Sequence, residues 1–282
     1  MHDFTNFRNV GLESGATHPL FKAFDKNGEL VLIKPGMDKR MNRVQQHRVL
    51  AVQLGYNIQK IINPRGAVPV DVKEIEVGNN NEKVLCSIVK FIPNTHDFSF
   101  LDGNFDDIEY EVLSKNQMET AFADTIVDYL IMNYDAKGAN YLTDGNYVYG
   151  IDKEQALKNA DIKDTFSIID FKNRSNSRSL FIKTIIKAIE EGMQEVPDGL
   201  YDYLRNIGHI IDSYDESEYL KLFYPYIDSR LHAEDASSII SEEEKDVMIE
   251  NILYKKRNVL IEIEKLINYI EEKKIKSTFS YN

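Results

Sequence analysis

Six consecutive residues, Asp135-Ala136-Lys137-Gly138-Ala139-Asn140, and an aspartate beyond them, Asp152, are of the types from which a reactive site can be built. A carboxylate can orient a hydroxyl or accept its proton, and an ammonium can neutralise a phosphate. An amide oxygen and a second carboxylate are hard oxygen ligands of the kind magnesium prefers. Phosphoryl transfer from ATP needs all four of these groups. Asp and Asn are common loop residues, so D-x-K-x-x-N carries weight only through the order of the segments around it.

That order is helix, loop, hairpin, aspartate. Phe122, Ile126, Tyr129 and Leu130 mark a buried helix over 118–132 that ends at Asn133. Asp144-Gly145 between two apolar runs is a hairpin signal, with Asn140 at its entrance and Asp152 at its exit. Upstream, residues 19–24 and 30–34 read as strands joined at Asn27-Gly28. Val44, Leu50, Ala51 and Leu54 suit a helix over 41–54 with Gly55 as its stop, and 57–62, 73–77 and 84–91 read as three more strands. Beyond 178 the pattern is helical, and a capping box at Ser241 and Glu244 opens one long helix to about Lys276.

Together these features resemble the protein-kinase-like superfamily, in which D-x-K-x-x-N is the catalytic loop and a metal-binding Asp follows across a hairpin. Residues 128–135 and Ile151-Asp152 also resemble the corresponding segments of the phosphatidylinositol 3/4-kinase-like and bacterial HipA-like branches, although Ala136-Lys137 replaces their Arg-His. The resemblance implies that Asp135 is the catalytic base and that Lys137 steadies the γ-phosphate. It implies further that Asn140 and Asp152 hold magnesium. Asp170, in Ile168-Ile169-Asp170-Phe171, is a second candidate metal ligand, reached only with a large hairpin insertion.

The front half fits the same family. Val31-Leu32-Ile33-Lys34 resembles the strand whose lysine bridges the α- and β-phosphates. Ser14 and Gly15, in the small-residue loop 11–17, could cover the phosphates with backbone N–H groups. Lys90, Phe91 and Ile92 would offer backbone groups to adenine. A carboxylate should pair with the lysine from the following helix, yet its start reads Arg43-Val44-Gln45-Gln46-His47-Arg48. Either Gln45 or Gln46 takes the role, or the carboxylate comes from elsewhere. Glu154 is within reach of metal or substrate, or is simply solvated.

Composition narrows the alternatives. With 282 residues the chain can bury a large core. Its one cysteine, Cys86, excludes a disulfide-stapled scaffold and a Cys-rich zinc site, and reads as a small core residue. The six histidines show no paired ligand spacing. Charge is split: residues 1–97 hold 13 Lys and Arg against 10 Asp and Glu, the remainder 21 against 36. An acidic body argues against nucleic acid, and no segment reads as an integral membrane span.

The expectation is an α+β, bilobal, protein-kinase-like fold with a β-rich N-lobe (1–93), a mostly helical catalytic C-lobe (94–240) and a C-terminal helix (241–282). The chain would be a cytoplasmic monomer, or a dimer through that helix. The resemblance implies an ATP- and Mg2+-dependent kinase acting on a hydroxyl of a protein or peptide, with a basic one complementing the acidic C-lobe. Small-molecule or phosphoinositide phosphorylation, nucleotidyl transfer and non-catalytic binding are the alternatives.

Overall fold

A computed structural model describes residues 11–12, 20–38, 43–77, 82–99, 110–161, 167–169 and 180–279. Its N-terminal part is β-rich and its C-terminal part mostly helical, the α+β division expected from the sequence. Five antiparallel strands make the main sheet in the order β1 (Gly11–Leu12), β2 (Phe21–Phe24), β3 (Leu30–Pro35), β7 (Glu82–Lys90) and β6 (Val70–Val77). Short strands β4 (Met37–Asp38) and β5 (Arg43–Val44) pair with each other.

The β2–β3 turn is held by Asp25, whose Oδ1 accepts the Asn27 and Glu29 N–H groups at 2.8 Å each. Along β3 the side chains alternate, as a pleat requires. Val31 and Ile33 are buried with Ala23, Cys86 and Ile88 in a small core on one face. Leu32 and Lys34 point to the other face, toward the helical part. Cys86 is a core residue, as expected, and burial pushes its thiol up to about 12.

Helix α1 (Gln46–Ile62) departs from expectation. The strand anticipated over 57–62 is the second half of this helix, and Gly55 lies in its interior. Leu54, Ile58 and Ile62 continue the buried stripe at spacing four, which outweighs the glycine. Gly55 serves close packing instead of a stop: a Cβ there would lie 2.7 Å from Lys153 Cγ.

After β8 (His96–Asp97) comes α2 (Lys115–Leu130), the centre of the molecule. Every residue from Gln117 to Leu130 is buried. Ser114 and Gln117 cap it reciprocally. Phe122 is fully buried in the main core, where truncation to alanine costs about 3–5 kcal/mol. The hairpin β9 (Tyr141–Thr143) and β10 (Val148–Gly150) follows, with β8 alongside β9.

The helical part continues through α3 (Leu180–Glu190), α4 (Leu200–Asp212), α5 (Glu216–Lys221) and α6 (Tyr224–Leu231). The C-terminal helix is interrupted once, giving α7 (Glu242–Arg257) and α8 (Val259–Phe279). At the joint Asn258 Nδ2 donates to Tyr254 O, which caps α7, and Glu262 N donates to Asn258 O, which opens α8. Ile263, Leu266, Ile267 and Ile270 of α8 are buried, and α8 packs on α3 and α4. Among the described residues no helix is long and apolar enough to cross a membrane.

Candidate active site

A cavity of about 270 Å3 lies where the sheet face of Leu32 and Lys34 meets the β9–β10 hairpin. Leu20, Leu32, Val70, Val89, Leu142 and Ile151 give it apolar walls, while Lys34, Asn140 and Asp152 bring polar groups to it. A concave apolar slot with a few converging polar side chains is the usual form of a small-molecule site.

The hairpin does what the sequence spacing anticipated. Ile151 N donates to Asn140 O at 2.8 Å, so the entrance and exit of the hairpin are held together. Asn140 Nδ2 donates to Asp135 O at 2.6 Å and approaches Asp135 Oδ2 at 3.3 Å. That bond commits the amide nitrogen and leaves the amide oxygen for another donor or a cation. Lys137 Nζ is 3.4 Å from Asp135 Oδ2.

Asp152 meets Lys34 at the wall of the cavity, with Nζ 2.9 Å from its Oδ1. The same ammonium lies 2.7 Å from Glu154 Oε1. Burial works against the Lys34 charge, but Asp152 and Glu154 outweigh it and hold the ammonium well above the ordinary lysine range. Burial likewise raises Asp152, and the Lys34 charge more than compensates, keeping its carboxyl below the usual range.

Asp152 has φ +57°, a left-handed conformation that costs a non-glycine residue about 1 kcal/mol or more. This turn splits the chain direction: Asp152 and Glu154 go to Lys34, and Lys153 goes inward. Lys153 Nζ lies 2.6 Å from Asp124 Oδ2 and 2.7 Å from Asp128 Oδ1, both on α2, and all three side chains are at most 5% exposed.

Around that buried trio, Gln59 of α1 donates to Asp124 at 2.6 Å and to Gly150 O at 2.8 Å. Tyr141 and Asn133 donate to the Asp128 carboxylate at 2.6 and 2.7 Å. Burial and the neighbouring Asp128 charge push Asp124 above the usual carboxylate range, while Lys153 opposes the shift. Gly150 admits no side chain here, because a Cβ would fall 1.6 Å from Asp124 Oδ2.

Of the residues singled out from sequence, Lys34, Asn140 and Asp152 meet at the cavity. Asp135 and Lys137 adjoin them through Asn140. Lys90, Phe91 and Ile92 line the cavity. The N–H groups of Lys90 and Phe91 are bonded to Pro69 O and Leu30 O, so among the described residues Ile92 carries the amide with no backbone acceptor. Ser14, Gly15 and Asp170 lie outside the described residues.

Lys34 is paired with two carboxylates, Asp152 and Glu154, and neither comes from α1. Gln46 is exposed, and Gln45 is buried with its Oε1 unpartnered. Asp124, Asp128, Lys153 and Gln59 were not anticipated. Asp124 and Asp128, four residues apart among the apolar positions of a helix that reads as buried, were the available signal, since unpaired acids are almost never fully buried.

No protein-family model and no curated protein matches the chain. Two solved structures of the Golgi casein kinase are similar to it. One aligns at 13% identity over 92% of this chain and 74% of that chain, with a TM-score of 0.47. The other, with Mn/ADP bound, aligns at 12% identity over 91% and 73%, with a TM-score of 0.46. Superpositions at that level decide no chemistry, which rests on this chain's own residues.

Proposed function

We propose that this protein is an ATP- and magnesium-dependent phosphotransferase of the kinase-like type, moving the γ-phosphoryl group of ATP to a hydroxyl of a protein or peptide. One observation carries the reading. Lys34, Asn140 and Asp152, from segments far apart in sequence, converge on one apolar cavity, with Asp135 tied to Asn140 at its edge.

The donor set fits the groups it would hold. Asn140 and Asp152 offer two hard oxygens, and magnesium commonly takes one or two protein ligands together with substrate phosphates and water. The apolar walls suit a purine, with the Ile92 N–H in place to donate to its ring edge. A cation held by these two residues would supply charge neutralisation to the phosphates.

The protein's own residues do the rest. Lys34 reaches the inner phosphates from the sheet. Lys137, next to Asp135, offers its ammonium to the phosphoryl group in transit. Asp135 accepts or orients the acceptor hydroxyl, and Asn140 fixes it by bonding its backbone and carboxylate. The acidic balance of residues 98–282 favours a basic acceptor. Nucleotidyl transfer was an alternative because the helix after Lys34 lacks an acid; α1 has none in its first turn, and Glu154 supplies Lys34 with a carboxylate from another segment.

The test is incubation with γ-labelled ATP, magnesium and a pool of basic peptides, comparing wild type with Asp135→Ala and Asp152→Ala. Label should reach peptide hydroxyls with wild type only. Equal transfer by all three proteins would rule the reading out, and label appearing only on small acceptors would move the substrate class.

A further inference from the structure

Lys34 stands between two carboxylates that differ in their surroundings. Asp152 is 36% exposed and faces the cavity, whereas Glu154 is only 12% exposed and lies deeper. Helix α1 supplies no acid in its first turn, and Gln45 at its start makes no bond to Lys34. Glu154 sits in a short 3-10 turn, Lys153–Gln155, anchored from below by the buried Lys153 bonds to α2. The loop that carries the exposed carboxylate therefore also carries the sheltered one.

From this geometry we infer that Glu154 is the positioning residue for Lys34, replacing a helix carboxylate. It keeps the ammonium aimed into the cavity when Asp152 turns from the lysine to a divalent cation. Resting on the phosphotransferase reading, the inference deepens it: lysine and metal-binding aspartate are set by one loop, and the first turn of α1 contributes no carboxylate. An ion pair of this kind acts through geometry, because an ammonium on a four-carbon stem samples many rotamers unless a partner fixes it. With Glu154 in place, exchange of Asp152 to the cation leaves Lys34 paired instead of stranded in a half-buried site.

The consequence is that Glu154 affects nucleotide binding mainly through Lys34. A double-mutant cycle on binding of a fluorescent ADP analogue at saturating magnesium tests this without relying on turnover. Glu154→Gln should weaken binding by about 5–10-fold, and Lys34→Met by at least as much. Adding Glu154→Gln to Lys34→Met should change affinity by less than about twofold. Glu154→Asp, which keeps the charge on a shorter stem, should recover part of the loss and serves as the second variant if Glu154→Gln fails to fold. Additive losses would make Glu154 a direct ligand and overturn the inference while leaving the phosphotransferase reading intact. No loss in Glu154→Gln would overturn it as well. A wild type that binds no nucleotide with magnesium would overturn both.

Discussion

Among the described residues, one lysine between two carboxylates occurs twice back to back along three consecutive residues. Lys34 sits between Asp152 and Glu154 at the wall of a cavity, and Lys153 sits between Asp124 and Asp128 beneath it. The composition is the same and the distances are similar, but the surroundings are not. At the cavity the charges keep some access to water, so a ligand can exchange with one of them. Beneath it all three side chains are sealed and cross-bonded by Gln59, Asn133 and Tyr141. Proximity of charges therefore does not tell a working cluster from a structural one; access does.

The same substitution in the two clusters should break different things. Lys153→Met strands two buried carboxylates and should cost about 3–5 kcal/mol of stability, read from chemical denaturation. A loss under about 1 kcal/mol would mean that the buried trio is not the anchor of the loop that carries Asp152 and Glu154. Lys34→Met leaves Asp152 within reach of solvent and only Glu154 sheltered, and should cost less, about 1–2 kcal/mol, in the same experiment. It should instead lower affinity for magnesium–nucleotide by about 10–100-fold. If Lys34→Met unfolds the protein and Lys153→Met does not, the assignment of the two clusters is reversed.

Acid titration sharpens the contrast once a third group is accounted for. His47 on α1 is driven down to about 4 by burial and by the Arg230 and Arg48 charges, with Asp235 opposing. Its folded value is below the unfolded 6.5, so the unfolded chain binds more protons in between. Stability from this group is complete above pH 6.5 and is lost as pH falls toward 4. His47→Gln should flatten that part of the stability–pH curve by on the order of 1 kcal/mol. An unchanged slope would put the acid sensitivity elsewhere, the two lysine clusters being the next candidates.

Local patterns in the sequence were enough for the hairpins, the α2 helix and the order of helix, loop and hairpin from Asp128 to Asp152. Each is specified within a few residues: Asn27-Gly28 by turn chemistry, α2 by its apolar content, and Asp135 to Asp152 by spacing around Asp144-Gly145. Gly55 misled because its stop signal was local while its reason is distant, the approach of Lys153. The extension of α1 through Ile58 and Ile62 was visible in their spacing but outvoted by that glycine. Glu154 and the Asp124–Lys153–Asp128 trio depend on pairing across 25 to 120 positions, which no local pattern encodes. What reveals them is the left-handed turn at Asp152, which sends adjacent side chains in opposite directions.

The central claim is that this cavity holds a nucleotide through a cation on Asp152. Thermal unfolding of wild type and Asp152→Asn, each with and without ATP and magnesium, tests it most directly. At ligand about 100-fold above Kd the wild type should gain about 2.7 kcal/mol and melt several degrees higher. Asp152→Asn, nearly isosteric, should fold and show almost none of that shift. Equal shifts in the two proteins, or none in the wild type, would contradict the account.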